Sequence, residues 1–225
     1  RRIFGDSVPA GSNDVAAHLL NAKVLINETW SVTPYFYFID NDDVATFSTA
    51  TLGANLTGKL RIGDGDLAVL LEFATQDDAG NIPVSYDAQY LRLGGSYSLE
   101  SGLSLGLDFE SLGGASSPGM SFRTPLATLH AFQGWADMFL ATPDAGVDDL
   151  FATVKYKAGR WNLAGIYHDF SAETGSGDYG TEVDLSVGTA INDNLGILFK
   201  GALFNGDSAA YPDTNKFWIM FTGDY

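Results

Sequence analysis

Along most of the chain, apolar and polar residues alternate with a period of two, the mark of strands that have one apolar and one polar face. In residues 103–110, Leu103, Leu105, Leu107 and Phe109 alternate with Ser104, Gly106, Asp108 and Glu110. The pattern recurs over 48–60, where Leu52, Ala54, Leu56 and Leu60 oppose Thr51, Gly53, Asn55, Thr57 and Lys59, and again over 90–99, 149–157, 181–191 and 195–204. Segments 15–27, 30–40, 67–76, 161–171 and 215–225 alternate less cleanly, and the whole predicts about eleven strands.

The connections alternate as well. Short turns such as Asn27-Glu28-Thr29, Gly63-Asp64-Gly65-Asp66, Glu100-Ser101-Gly102, Ala158-Gly159-Arg160 and Asn192-Asp193-Asn194 interleave with longer acidic loops near 41–46, 77–85, 113–146, 172–180 and 206–214. Short turns at one end and long loops at the other describe an outer-membrane barrel with strands of roughly 10 residues, apolar outward and polar inward. Trp30, Tyr97, Tyr156, Trp161 and Tyr167 fall near strand ends, where interfacial girdles belong. The predicted fold is therefore all-β, an antiparallel transmembrane β-barrel forming a single domain over 1–225 in the bacterial outer membrane. A soluble up-and-down barrel or sandwich also alternates, but it would turn the apolar face inward. Against that reading, the polar face carries Lys23, Lys59, Glu72, Arg92, Asp108, Glu110, Lys155, Lys157, Asp184 and Lys200, as a hydrated, pore-lining wall would.

Composition narrows the classes. Of 225 residues, 12 are Lys or Arg and 28 are Asp or Glu, a net charge of −16 that makes nucleic acid a poor partner. The absence of Cys excludes disulfide scaffolds and thiolate chemistry. The longest apolar stretches, such as Leu67 to Leu71, are about five residues, far short of a transmembrane helix. With 45% hydrophobic and 13% aromatic residues the chain is not disordered. It opens Arg1-Arg2-Ile3-Phe4 without Met, so either a signal peptide has been removed or the sequence starts inside a longer one. Parity favours the second, because closed antiparallel barrels have even strand counts: the chain is expected to be the C-terminal portion of a larger barrel, with Arg1 to Asn13 a loop fragment on the outer side.

The 113–146 connection is too long for a hairpin and contains Phe122-Arg123-Thr124-Pro125-Leu126-Ala127-Thr128-Leu129-His130-Ala131-Phe132-Gln133-Gly134-Trp135-Ala136-Asp137-Met138-Phe139-Leu140. This resembles the signature of the alginate-export-like family of outer-membrane β-barrel porins, as do Arg2-Ile3-Phe4-Gly5, His18-Leu19-Leu20-Asn21, Tyr167-His168-Asp169-Phe170-Ser171 and Asp178-Tyr179-Gly180-Thr181-Glu182. The resemblance covers nearly all of the chain and implies a wide barrel, monomeric or homo-oligomeric, that passes a solute across the outer membrane. It does not imply alginate, and Met138 stands where the family pattern calls for Lys.

Function is read from where the charges fall. Half of the basic residues lie on the inferred lumen face, whereas carboxylates such as Asp40, Asp144, Asp169, Glu173, Asp178, Asp207 and Asp213 sit in loops or at their rims. A mixed lumen behind an acidic mouth suits small polar or anionic solutes, possible saccharides among them, although each Lys can equally neutralise a neighbouring carboxylate. No cofactor is expected. The pairs Asp42/Asp43, Asp77/Asp78 and Asp148/Asp149 are candidate oxygen ligands for Ca²⁺ or Mg²⁺ bridging lipopolysaccharide phosphates, though no segment matches an EF-hand loop. An enzyme is not expected: His168 and Asp169 are strand neighbours pointing to opposite faces and cannot form a dyad. The remaining alternative is a structural or surface-interaction barrel without a transport role. Finally, the loop at 113–146 is expected to fold toward the pore as a constriction loop. Leu129, Phe132 and Trp135 at helical spacing would form a short helix against the inner wall, leaving Arg123, His130, Trp135 and Asp137 at the solute path.

Overall fold

The computed structural model describes residues 13–127, 130 and 132–223. They form β1 (Val15–Asn21), β2 (Val24–Leu25), β3 (Trp30–Asn41), β4 (Thr49–Ile62), β5 (Gly65–Asp78), β6 (Asp87–Leu99), β7 (Leu103–Leu112), β8 (Val147–Ala158), β9 (Trp161–Ser171), β10 (Asp178–Asn192), β11 (Leu195–Gly206) and β12 (Thr214–Gly223), with a 3₁₀ turn at Ala45–Phe47. All belong to one antiparallel sheet in sequence order, with β2 pairing β3 beside β1. Among the described residues β1 and β12 are its two edges, so the sheet is an open wall.

The predicted strand over 15–27 is broken into β1 and β2. Its pairing with β3 runs from Val15↔Asn41 to Asn21↔Tyr35 and resumes at Val24↔Val32. The gap faces Pro34, whose carbonyl still accepts Ala22 N–H at 3.2 Å but which has no N–H to return the rung. Counting the broken strand once gives eleven spans. Of the expected loop fragment from Arg1 to Asn13, residues 1–12 lie outside the described residues, as does the terminal Tyr225.

The short turns close as their residues dictate. Gly63 (φ 56°) and Gly102 (φ 88°) take the left-handed backbone that a tight hairpin needs. The Asn27 carboxamide oxygen accepts the N–H groups of Thr29 and Trp30 at 2.8 and 2.9 Å, an Asx-type cap on its turn.

The two faces of the sheet are sharply different. Large apolar side chains stand exposed on one of them strand after strand: Leu52 and Leu107 at 61%, Leu185 at 53%, Phe217 at 76%. A soluble barrel would bury that face, whereas here the opposite, polar face is the covered one. The arrangement is that of a wall with lipid on its apolar side. Trp30, Tyr97, Tyr156 and Trp161 mark its short-turn end; Tyr97 donates its hydroxyl to Ile62 O at 2.7 Å and the Arg160 guanidinium lies over the Trp161 ring. Tyr167, by contrast, lies further inside its strand, opposite Ala152 and Val183.

The buried core lies on the polar side, where the 113–146 connection folds back onto the sheet. Phe139 is its main anchor, packed with ring centroids 4.7 Å from Phe170, 5.5 Å from Tyr179, 6.3 Å from Phe204 and 5.3 Å from Tyr211. The inward fold agrees with expectation, but the helix does not. The described residues of the connection form turns, and Gln133 (φ 50°), Gly134 (φ 78°) and Asp137 (φ 59°) adopt left-handed backbone that no right-handed helix accommodates. Leu129 lies outside the described residues. The spacing of Phe132 and Trp135 does not mark turns of a helix: Trp135 packs on the core and Phe132 is exposed.

Candidate functional site

Strand register brings the polar residues of neighbouring strands side by side. Glu72 stands opposite Arg92, and Arg92 opposite Glu110. Arg92 Nη2 donates to Asp108 Oδ1 at 3.2 Å, and its guanidinium carbon lies 5.7 Å from the centre of the Phe151 ring. Glu110 accepts the Tyr90 hydroxyl at 2.5 Å and the Gln133 carboxamide at 2.9 Å, and Glu72 accepts the Tyr35 hydroxyl at 2.8 Å. Lys59 pairs with Asp66 at 3.0 Å near the short-turn end, and Arg61 reaches both Asp66 and Glu100. Lys155 and Lys157 are exposed on the same face, and Lys23 is exposed in the gap between β1 and β2. The nine pore-lining candidates that lie on strands share the polar face by strand parity and register.

Asp184 is not a free lining group. Together with Glu182, two residues away on the same face, it is fully buried beneath the loop: Glu182 Oε1 accepts Ala136 N–H at 2.8 Å and Asp184 Oδ2 accepts Trp135 N–H at 3.2 Å. Two carboxylates therefore hold the loop by its backbone, in addition to the contacts of its side chains. Lys200 completes the grip, its ammonium 3.8 Å from the centre of the Trp135 ring and 2.9 Å from His130 Nε2. His130 Nδ1 lies 2.6 Å from Asp137 Oδ1, and Lys216 Nζ lies 2.7 Å from the other Asp137 oxygen. Burial would raise the Asp137 carboxyl, but hydrogen bonds from Lys216 and His130 outweigh it and hold the group below its ordinary value.

Three of the four constriction-loop side chains are thus engaged, not free toward a solute: Trp135 with Lys200, and His130 and Asp137 with each other and two lysines. The fourth, Arg123, is also committed, its guanidinium donating to Gly119 O and Met120 Sδ while Gln76 binds its backbone at both N–H and C=O. The loop spends its polar side chains on attachment, and Phe132 is left projecting, 44% exposed. Phe132 and Gln133 line two cavities at once. The first, of about 410 Å³, contains Arg92, Lys155, Asp108, Asp149 and His168. The second, of about 430 Å³, is walled mainly by tyrosines and the 122–127 segment of the loop.

His168, considered above only beside Asp169, pairs across strands instead. Its Nδ1 lies 2.9 Å from both Asp149 oxygens and its Nε2 3.7 Å from Asp184 Oδ2. Asp169 points to the other face, and no nucleophile joins the pair in the hydrogen bonds of the described residues. Asp148/Asp149 is likewise not a loop pair: both lie on β8, where Asp149 is buried on the polar face and Asp148 points outward. Asp77 and Asp78 diverge in the same way on β5, and Asp78 accepts Tyr86 N–H. Asp43 caps Asp14 N–H at 2.7 Å, while Asp42 N–H donates to the Asp14 carbonyl. Among the described residues no three carboxylate or imidazole side chains converge as a metal site.

Asp149, Glu182, His168 and Lys216 were not among the expected lining residues. Parity on β8, β9, β10 and β12 placed them there; what the sequence did not carry was which of them would be covered by the loop.

The sequence matches no protein-family model and no curated protein, so the alginate-export-like resemblance gains no support from that side. In three dimensions the chain is similar to solved outer-membrane structures. OccAB4 of Acinetobacter baumannii aligns with TM-score 0.69 at 12% identity, covering 91% of this chain and 51% of that one. OccK5 (OpdH) of Pseudomonas aeruginosa aligns at 0.67 and 17%, covering 93% and 58%. The outer membrane protein OpdK of the same organism aligns at 0.65 and 16%, covering 93% and 60%. The chain spans between half and three-fifths of the length of these structures. It has the fold of their wall: a run of antiparallel transmembrane strands in an outer-membrane β-barrel.

Proposed function

We propose that the chain forms the C-terminal wall of a bacterial outer-membrane channel for small polar or anionic solutes, with the 113–146 connection as its constriction. The observation that supports this most directly is the loop itself, bound by its backbone to Glu182 and Asp184 so that it narrows the polar side of the wall while leaving two cavities beside Phe132. A structural barrel without a transport role gives no reason for a long loop to be pinned inside.

The charge a solute meets differs from the charge the sequence adds up. Glu110, Asp149, Glu182 and Asp184 are buried, whereas Lys59, Lys155 and Lys157 are exposed on the same face. The accessible wall toward the short-turn end is therefore basic, and a pore's preference follows its accessible lining rather than its net charge. Strands beyond this sequence close the barrel in this reading, and nothing in the site singles out saccharides.

Replacing Arg92 and Lys155 together by Glu in the complete barrel shifts the reversal potential under a salt gradient toward cation preference. Channels with an unchanged reversal potential would contradict a role for these residues in selectivity. Absence of any conductance from folded protein would contradict the channel reading as a whole.

A further inference from the structure

The two cavities flanking Phe132 differ in lining, the first mostly charged and the second mostly aromatic and aliphatic. We infer that the second, walled by Tyr35, Tyr37, Tyr90 and Phe122 and bearing Glu72 and Glu110, is a binding site for organic ammonium ions that carry an apolar body. The inference rests on the channel reading only for the route by which such a solute arrives.

The walls offer ring faces. Tyr35 and Tyr37 stack at 4.9 Å, Tyr90 and Phe122 at 5.4 Å, and the cavity between them and the loop measures about 430 Å³, within the range of small-molecule sites. The Tyr35 and Tyr90 hydroxyls donate hydrogen bonds to Glu72 and Glu110. Donating to a carboxylate enriches the phenol ring in electron density, which strengthens its attraction for a cation placed over its face.

Among the described residues neither Glu72 nor Glu110 forms an ion pair within 4.0 Å. Arg92 stands opposite both in register, yet it bonds Asp108, leans over Phe151 and lines the first cavity rather than the second. Arg123 belongs to the second cavity; its Nη2 donates to Gly119 O and Met120 Sδ, and its Nη1 is buried without a hydrogen-bond partner among the described residues, so the cavity holds one cationic group against two carboxylates. Thr49, which also lines the cavity, is buried with a hydroxyl that has no hydrogen-bond partner among the described residues. An anion entering here meets the Glu72 carboxylate, and Glu110, though buried and bonded by Tyr90 and Gln133, adds its negative charge to the same lining; a neutral aromatic leaves that charge uncompensated. An ammonium with an apolar body satisfies carboxylates and rings together.

The test uses two probes of similar size and opposite charge, phenethylammonium and phenylacetate, titrated calorimetrically into the detergent-solubilised full-length protein. Phenethylammonium binds and phenylacetate does not. Glu72→Gln, which keeps an acceptor for the Tyr35 hydroxyl, and Glu110→Gln each weaken phenethylammonium binding by about tenfold or more, in barrels whose heat-modifiable gel mobility confirms folding. Equal or tighter binding of phenylacetate, unchanged amine binding by both folded variants, or no amine binding by the folded parent would each overturn the inference. Amine binding by a protein that conducts nothing in bilayers would leave the site standing and remove the channel reading instead.

Discussion

Deleting residues 120–140 from the complete barrel is expected to raise its single-channel conductance severalfold and to move its selectivity toward cations. Both effects come from one feature. The deleted segment carries Phe132 and Trp135 over the polar wall, and it covers Glu182 and Asp184, each 0% exposed, by donating the N–H groups of Ala136 and Trp135 to their oxygens. Without the loop the pathway widens and two carboxylates face water. Lys200 and Lys216, freed from Trp135 and Asp137, offset part of that new charge, so the conductance change is the larger of the two. Planar-bilayer recordings on variants with the heat-modifiable mobility of a folded barrel provide the measurement. A folded deletion barrel with the parent conductance would show that the loop does not constrict the pore.

The second large effect concerns the other face. Leu107 lies midway along β7, opposite Gly95 on one side and Ala152 on the other, and is 61% exposed. Leu107→Arg places a charge in the hydrocarbon region and costs about 2–4 kcal/mol of stability in lipid vesicles. Arg in place of Thr153, which lines the first cavity on the opposite face, meets water there and costs much less. Urea unfolding from vesicles compares the two, and equal costs would contradict the assignment of faces.

Much of this architecture can be read in the sequence because a transmembrane barrel wall is written with period two and little else. Every span of the sheet was visible as alternation, and the turns at Gly63, Gly102 and Asn27 announced themselves by residue type. The break at Ala22 to Lys23 was not visible, since its cause, Pro34, acts across the ladder from the neighbouring strand. The loop shows the same limit. Its apolar content said that it must be covered, but three-residue spacing in Phe132 and Trp135 fits a helix and an irregular turn equally well. The wall that decides between them is assembled from β7 to β12.

The site was legible by face and not by partner. Parity put Glu72, Arg92, Glu110 and Lys200 on the polar side. Which carboxylate each donor chooses is fixed by register and by the loop, so Asp149 looked like half of a loop pair while it is the partner of His168. Net charge misled for a related reason, because buried carboxylates count fully in the sum but do not face the solute.

The central claim is that the alternating face of large apolar residues meets lipid and the polar face meets the solute path. The chain has no Cys, so single cysteines at positions 105, 106, 107 and 108 report one face at a time. In vesicle-embedded barrels an aqueous, membrane-impermeant thiol reagent should label positions 106 and 108, which border the first cavity, and spare 105 and 107. Labelling at 105 and 107 with protection at 106 and 108 would contradict the account.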